Sequence, residues 1–344
     1  MGSHRRQAPS GFDRGAYVAL SVLSAAAAVL GAAVPAGAAP TDDTRTADTR
    51  ARVDRLHTEA EQATEAYNKA DERTDALRGE VRRAQDRIAR GQQRVNEMRD
   101  ALGAVAGAQY RSGGLDPSVA LLFSDDPDDY LDKASALDRI GAQQAGQLHA
   151  LQGALRELAQ ERAETAGKLA DLEESRQAVA AHKRTVEKKL ARARTLLNAL
   201  PDADRDAYDR ASRTGRADLP DDPAGAAPVS GRAGAAVAAA RSALGKPYIW
   251  GANGPSGFDC SGLTQWSYAQ AGVAIPRTSQ GQRHAGRQVP LSQARPGDLV
   301  TYRADASHVG MYMGNGQVIH APYPGAPVRY DPVGMMPIAS VTRV

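Results

Sequence analysis

The chain of 344 residues contains one cysteine, Cys260, in the run Gly257-Phe258-Asp259-Cys260-Ser261-Gly262-Leu263. Without a second cysteine it forms no internal disulfide. It is an inert buried thiol, a crosslink between chains or a nucleophile. Its surroundings favour the nucleophile. Glycine and proline crowd Gly251 to Gly257, and a helical pattern then runs from Cys260 to about Gln270. Asp259 is placed to cap that helix, so Cys260 takes the first helical position, beside backbone amides that have no intrahelical partner. At that position the helix dipole lowers a thiol's pKa, and the free amides offer a seat for the oxyanion of a tetrahedral intermediate.

A nucleophilic cysteine needs a base, and His308 and His320 lie downstream in strand-like segments, His308–Met313 and Gln317–His320. Between them Gly314-Asn315-Gly316 signals a hairpin. A three-residue loop would pair Gly310 with His320 and bring both histidines onto one face, roughly 7–8 Å apart as diagonal neighbours. A two-residue Asn315-Gly316 turn would put them on opposite faces, so a shared site needs the first register or a bulge. On one face, His308 is the general base for Cys260 and His320 orients its ring. Zinc is the competing use of two histidines and a cysteine, but the close ligand spacing of dedicated zinc sites is missing. No metal or cofactor is expected. His284, between Arg283 and Arg287, reads as surface.

The elements that must position this set belong to the last third of the chain. Ala235 to Leu244 reads as a helix, Gly245–Gly251 as a turn into a short aromatic segment, and Asp298–Tyr302 as a strand after the Pro296-Gly297 turn. From Gly231 to Val344 there are ten Lys/Arg and four Asp, a net 10 − 4 = +6. Such a domain suits an anionic polymer. No nucleic-acid-binding signature accompanies the charge.

The preceding residues have a different composition. From Val53 to Val105 apolar residues recur in alternating steps of three and four, through Leu56, Ala60, Ala63, Tyr67, Val81, Ala84, Ile88, Val95 and Leu102. That is the seam of a coiled coil. A second seam runs from Leu148 to Leu197, with Arg162, Arg176 and Lys183 in it, and Pro201 ends it. Two long helices joined by an interruption favour an antiparallel hairpin within one chain, with a parallel dimer as the alternative. In the interruption, Leu121, Leu122 and Phe123 are either partner contacts or a cap on the hairpin. Residues 201–232 read as a linker, with a short helix from Asp202 to Ser212.

At the N-terminus, Arg5, Arg6 and Arg14 precede an uncharged stretch, Gly15 to Val34, and Ala36-Gly37-Ala38 offers small residues for cleavage. This reads as a signal peptide, residues 1–38, and hence as a secreted protein. An uncleaved anchor is the alternative.

Residues from about 233 to 344 resemble the NlpC/P60 family of papain-like cell-wall cysteine peptidases. The likeness rests on Pro247-Tyr248-Ile249-Trp250-Gly251, on the run around Cys260, on Pro276-Arg277-Thr278-Ser279, Pro296-Gly297-Asp298-Leu299-Val300, His308-Val309-Gly310 and Ile319-His320-Ala321. One departure is Ala252-Asn253, where many members carry a further glycine in a loop that borders the site. The resemblance implies a Cys260–His308–His320 triad, with Tyr248 near the nucleophile. It implies hydrolysis of peptidoglycan stem peptides, typically at the γ-D-glutamyl–diaminopimelate bond. Tyr248, Asp259 and Ser261 are the residues expected to meet substrate or oxyanion. Residues 41–200 more loosely resemble the coiled coils of secreted wall hydrolases controlled at division sites. That likeness implies autoinhibition by the arm or linker and release by a membrane partner of the FtsEX type, with the tip as contact.

The expectation is therefore an α+β papain-like domain, residues 233–344, behind an all-α antiparallel coiled-coil hairpin, residues 41–200, acting as a secreted peptidoglycan endopeptidase. The alternatives are an amidase or acyltransferase on the same fold, and a wall-binding scaffold without activity. The intact Cys/His/His set speaks against the scaffold.

Overall fold

The computed structural model describes residues 42–111, 119, 127–214 and 231–344. The segment read as a signal peptide, Leu121, Leu122 and Phe123 of the interruption, and residues 215–230 of the stretch read as a linker lie outside the described residues. None of the described helices is long and apolar enough to cross a membrane.

Helix α1 runs Asp42–Arg111 and α2 runs Pro127–Asn198. The ion pairs Glu59–Lys189, Glu80–Lys168 and Arg87–Glu161 join residues whose numbers rise along α1 as they fall along α2, so the pair is antiparallel. On α1 the expected seam is the buried one, with Val53, Ala60, Val81, Ala84 and Val95 inside. Leu158 of α2 packs over Gly91, where an added Cβ would meet its Cδ1 at 3.3 Å.

On α2 half of the expected seam is displaced. Leu158, Thr165, Val186 and Ala193 are buried as read, whereas Leu148, Leu155 and Leu169 are exposed, and so are Arg162, Arg176 and Lys183. The second inward position lies one residue earlier, at Glu161, Lys168, Ser175, His182 and Lys189. These polar groups find partners across the interface: three of them make the ion pairs above or their like, and Ser175 accepts from the Thr74 hydroxyl at 2.9 Å. Long charged side chains cover apolar surface while their heads pair or reach water, which a reading of apolar spacing alone does not register.

Helix α3, Asp202–Thr214, turns back onto the start of α1. Asp204 accepts from Thr46 and Arg50, and Tyr208 donates to Asp54, each at 3.1 Å. The stretch read as a linker therefore begins as a helix fastened to the arm, and its last two residues already belong to the next helix.

Helix α4, Gly231–Ser242, opens the C-terminal domain, followed by α5, Cys260–Gln270, and the short α6, Ser279–Gln282. Six strands follow: β1 Arg287–Val289, β2 Leu299–Tyr302, β3 His308–Gly314, β4 Gln317–His320, β5 Arg329–Pro332 and β6 Ile338–Arg343. They form one antiparallel sheet in the order β1-β6-β2-β3-β4-β5. Alternation sets its two faces. Leu299, Val309, Met311 and Ile319 pack with α4 and α5 around Leu263, Phe258 and Tyr268. Val300, Tyr302, Val318 and Val341 make a smaller cluster on the other face. The architecture is an α+β domain behind an antiparallel helical hairpin.

The β3–β4 hairpin decides whether a site exists. Gly314 pairs with Gln317, a two-residue turn, with Asn315 at φ +51 and Gly316 at φ +71. That turn alone would separate the histidines. A bulge between Tyr312 and Gly314 adds one residue to β3, so Tyr312 pairs with Val318 and Met311 with Ile319. Parity is restored, and His308 and His320 share the face of Tyr302 and Val318.

Candidate active site

Cys260 begins α5 as expected. Asp259 is its N-cap, at φ −90 and ψ 179, and its Oδ1 accepts from the Gly262 amide at 2.6 Å. The first turn of α5 lies hard against the Trp250–Asn253 loop, and a Cβ on Gly262 would collide with the Ala252 carbonyl. Only glycine admits that approach. The thiol lies beside the backbone amide of Val309, the residue after His308, which joins the nucleophile to the histidine strand.

The histidines form a chain. His308 Nε2 and His320 Nδ1 are 2.8 Å apart, with the rings nearly perpendicular. His320 Nε2 is 2.8 Å from Asp331 Oδ2, and Arg329 Nε donates to the same oxygen at 2.9 Å. Burial pushes the His320 ring down, to about 4, against the opposing pull of Asp331. The ring is neutral and holds one proton. Burial also pushes the Asp331 carboxyl up, but His320 and Arg329 outweigh it and hold it below the usual carboxylate value. A carboxylate only accepts, so the His320 proton sits on Nε2. Its Nδ1 must then accept from His308 Nε2–H, which leaves His308 Nδ1 as the basic atom. Asp331 on β5 thus sets the tautomers of both rings. Sequence reading passed over it, although it is one of only four acidic residues in the domain.

One expected role changes. Asp259 is not an oxyanion donor. It is fully buried, and its carboxylate is taken by the Gly262 and Gly251 amides, by Arg277 at 3.0 and 2.6 Å, and by Asn68 at 3.0 Å. Its position is structural, holding the nucleophile's helix and the adjacent loop. Arg277, matched only as part of a motif, is its buried counter-ion and also donates to the Ser261 hydroxyl at 2.9 Å. Tyr248 is buried near Cys260, and burial, with the acidic neighbourhood, keeps its hydroxyl protonated. Ser261 is fully buried, and its hydroxyl donates to Glu65 of α1. His284 is exposed, as read.

The thiol also differs from expectation. Position at a helix start predicts an acidic thiol, yet in this state Cys260 is pushed well above its ordinary value, by burial first and then by Glu65, Asp259 and Glu61. Two of those carboxylates come from α1. His57, Glu61, Glu65 and Asn68 form a stripe at steps of four, four and three along the side of α1, and all are buried. Glu65 accepts from the Ser261 hydroxyl and the Ser279 amide, both at 2.7 Å, and lies 3.8 Å from Cys260 Sγ. Glu61 lies 3.0 Å from His308 Nδ1, an ion-pair distance without the alignment of a hydrogen bond, and accepts from Arg303 at 2.6 Å. Burial pushes the Glu61 carboxyl up, but His308 and Arg303 prevail and hold it low. His57 stacks on Tyr323 at 5.1 Å, and Tyr67 meets Trp250 edge-on at 5.2 Å. The arm occupies the cleft above Cys260 and His308. On the sequence this polar stripe reads as the solvated side of a coiled coil.

A family model described as NlpC/P60 matches residues 245–340. The C-terminal domain belongs to the NlpC/P60 family. Over 126 residues the chain is 47% identical to a probable endopeptidase of Corynebacterium glutamicum, covering 37% of this chain and 60% of that protein. Over 97 residues it is 50% identical to a probable endopeptidase p60 of Listeria monocytogenes, covering 28% and 20%. Among solved structures, the NlpC/p60 domain of the peptidoglycan hydrolase SagA is 38% identical, with a TM-score of 0.31, over 33% of this chain and 98% of that one. The chain spans less than two thirds of the length of the curated relatives it matches.

Proposed function

We propose that the protein is a secreted cysteine endopeptidase of peptidoglycan stem peptides, cutting at the γ-D-glutamyl–diaminopimelate bond, and that α1 holds it shut. The carrying observation is the chain His308, His320, Asp331 and the helix-start Cys260, with two arm carboxylates, Glu65 and Glu61, set on Cys260 and His308. The NlpC/P60 domain and relatives named as probable endopeptidases support the peptidase part.

With the arm away, two of the three carboxylates that raise the thiol are gone, and the α5 dipole favours the thiolate. His308 Nδ1 takes the thiol proton, and the thiolate attacks the isopeptide carbonyl. Backbone amides at the start of α5 face the oxyanion. The proton passes from His308 to the leaving amine, and the C–N bond breaks. Water, giving a proton back to His308 Nδ1, then releases the acyl group and restores the thiol. The basic domain holds anionic wall polymer, and a membrane activator of the FtsEX type, engaging the arm tip, is the expected release.

The test is digestion of purified peptidoglycan by the full chain, by Glu61→Ala/Glu65→Ala, and by that double variant with Cys260→Ala, with products identified by mass spectrometry. The double variant should release fragments ending in D-glutamate at least about tenfold faster than wild type, and the triple variant none. Equal rates for the first two would overturn the plug, and release by the triple variant would overturn the cysteine mechanism.

A further inference from the structure

The two arm carboxylates occupy seats of different chemistry. Glu65 meets hydroxyl and amide donors, whereas Glu61 meets a guanidinium. Arg303 lies in the loop between β2 and β3, at φ +64, with Ala306 nearby at φ +50. Both are left-handed conformations that side-chain-bearing residues adopt rarely, and such strain gathers at functional positions. The loop is pinned by Arg303 N–H donating to the Pro337 carbonyl at 2.8 Å, and Arg303 Nη1 lies 3.2 Å from Ser307 Oγ. The guanidinium is thereby turned toward the space before His308 and is only 22% exposed.

Its partner is on loan. Within the domain Asp259, Asp298 and Asp331 are ion-paired with Arg277, Arg343 and Arg329. The fourth acid, Asp305, takes the Ser307 amide and Gln62, and acts on Arg303 only through space. The carboxylate in contact with Arg303 is Glu61 of the arm. When the arm leaves, Arg303 loses the anion it contacts and is left facing the opened cleft, ready for another. Space for one exists. A cavity of about 250 Å³ remains beside the seated arm, with Arg303, His320, Tyr323, Arg329 and the Arg329-paired Asp331 on its domain wall. Glu61 lines it from the arm and lies 3.0 Å from His308 Nδ1, the atom that must meet the leaving amine, so this is the leaving-group side of the cleft.

We propose that Arg303 binds a free carboxylate on the amino acid that leaves, and that Glu61 is its stand-in in the closed state. The inference rests on the endopeptidase reading and adds a requirement to it: the residue donating the amine must carry an un-amidated carboxylate.

The test uses full-length Glu61→Ala/Glu65→Ala chain and γ-D-glutamyl-diaminopimelate with both leaving-side carboxylates free, its two monoamides and its diamide. A charge-assisted pair predicts a kcat/KM about 10–100-fold higher for the free acid than for the diamide. The monoamides show which carboxylate is read. Arg303→Gln should bring the ratio near one, and Arg303→Lys, which keeps the cation, should retain part of it. A ratio near one in the parent, or an unchanged ratio in Arg303→Gln, would overturn the subsite. If the parent cuts no probe, it is the endopeptidase reading that fails. The subsite is then judged by calorimetric titration of the free acid and diamide into the parent carrying Cys260→Ala. Tighter binding of the free acid, lost in Arg303→Gln, sustains it, and equal binding overturns it.

Discussion

The proposed base, His308, depends on a residue two side chains away. Asp331 accepts the His320 proton, so His320 accepts that of His308, and Nδ1 is left free. Asn at 331 can keep an oxygen toward Arg329 and His320 Nε2–H, but it removes the negative charge that fixes the His320 proton and supports the chain when His308 becomes charged. In the Glu61→Ala/Glu65→Ala background, Asp331→Asn should lower kcat on the order of tenfold to a hundredfold, part of what a positioned base contributes. KM should change little, and the pH–rate profile should move. An unchanged profile would show that Asp331 only braces β5. At the same scale, the helix position of Cys260 favours thiolate, and burial with the facing carboxylates opposes that preference and raises the thiol.

At the scale of elements, α1 presents one face to α2 and another to the cleft, and its second face carries a pH dependence. Burial, then the Asp259 charge, pushes the Glu65 carboxyl up to about 7 in the docked arm, with Ser261 and Ser279 donating against that rise and Cys260 and Arg277 nearby. Released into water it returns to about 4.3. The docked state holds that proton more tightly, so this contribution to docking is full below the released value and is lost as pH rises through about 7. Glu61, held low, works in the opposite sense and weakens docking only as pH falls below the ordinary carboxyl range. Between pH 5 and 8 His57, pushed down by burial, opposes Glu65, and Glu65, with the larger displacement, sets the direction. Wild-type hydrolysis of peptidoglycan should therefore rise more steeply over that range than that of the arm-released double variant, and Glu65→Gln should remove the extra steepness. A parallel rise in wild type and double variant would refute the assignment. The α5 element has its own prediction. Gly262→Ala drives a Cβ into the Ala252 carbonyl, an overpacking worth about 1–3 kcal/mol, and should lower the unfolding midpoint in denaturant accordingly.

On the scale of the whole molecule, hairpin and hydrolase behave as one object whose state is readable at a single thiol. Cys260 is 2% exposed and its pKa is raised while the arm is seated. Near neutral pH, alkylation by iodoacetamide should be at least about tenfold faster in Glu61→Ala/Glu65→Ala than in wild type, since both access and thiolate fraction increase. Because this is the only cysteine, mass measurement of the intact chain reports it without ambiguity. Equal rates would mean that the arm does not cover the nucleophile in solution.

Local physics in the sequence was enough for the elements that carry Cys260: a capping Asp, a helical pattern and a preceding loop specify a helix start with little help from the rest of the chain. The α1 seam was legible for the same reason, since apolar spacing acts within one helix. The histidine pair was legible only as a choice, because a turn of two residues or of three changes the face. The bulge between Tyr312 and Gly314, which depends on pairing with β4, made that choice. What tertiary structure alone decided was contact between polar groups far apart in the chain. Glu61 and Glu65 have the composition of a solvated helix face, Asp331 that of a strand edge, and Arg303 that of a loop. Nothing in their local sequence distinguishes a charge that meets water from one that meets His308 or Cys260. The pairing energy exists only once α1 lies in the cleft and β5 lies beside β4.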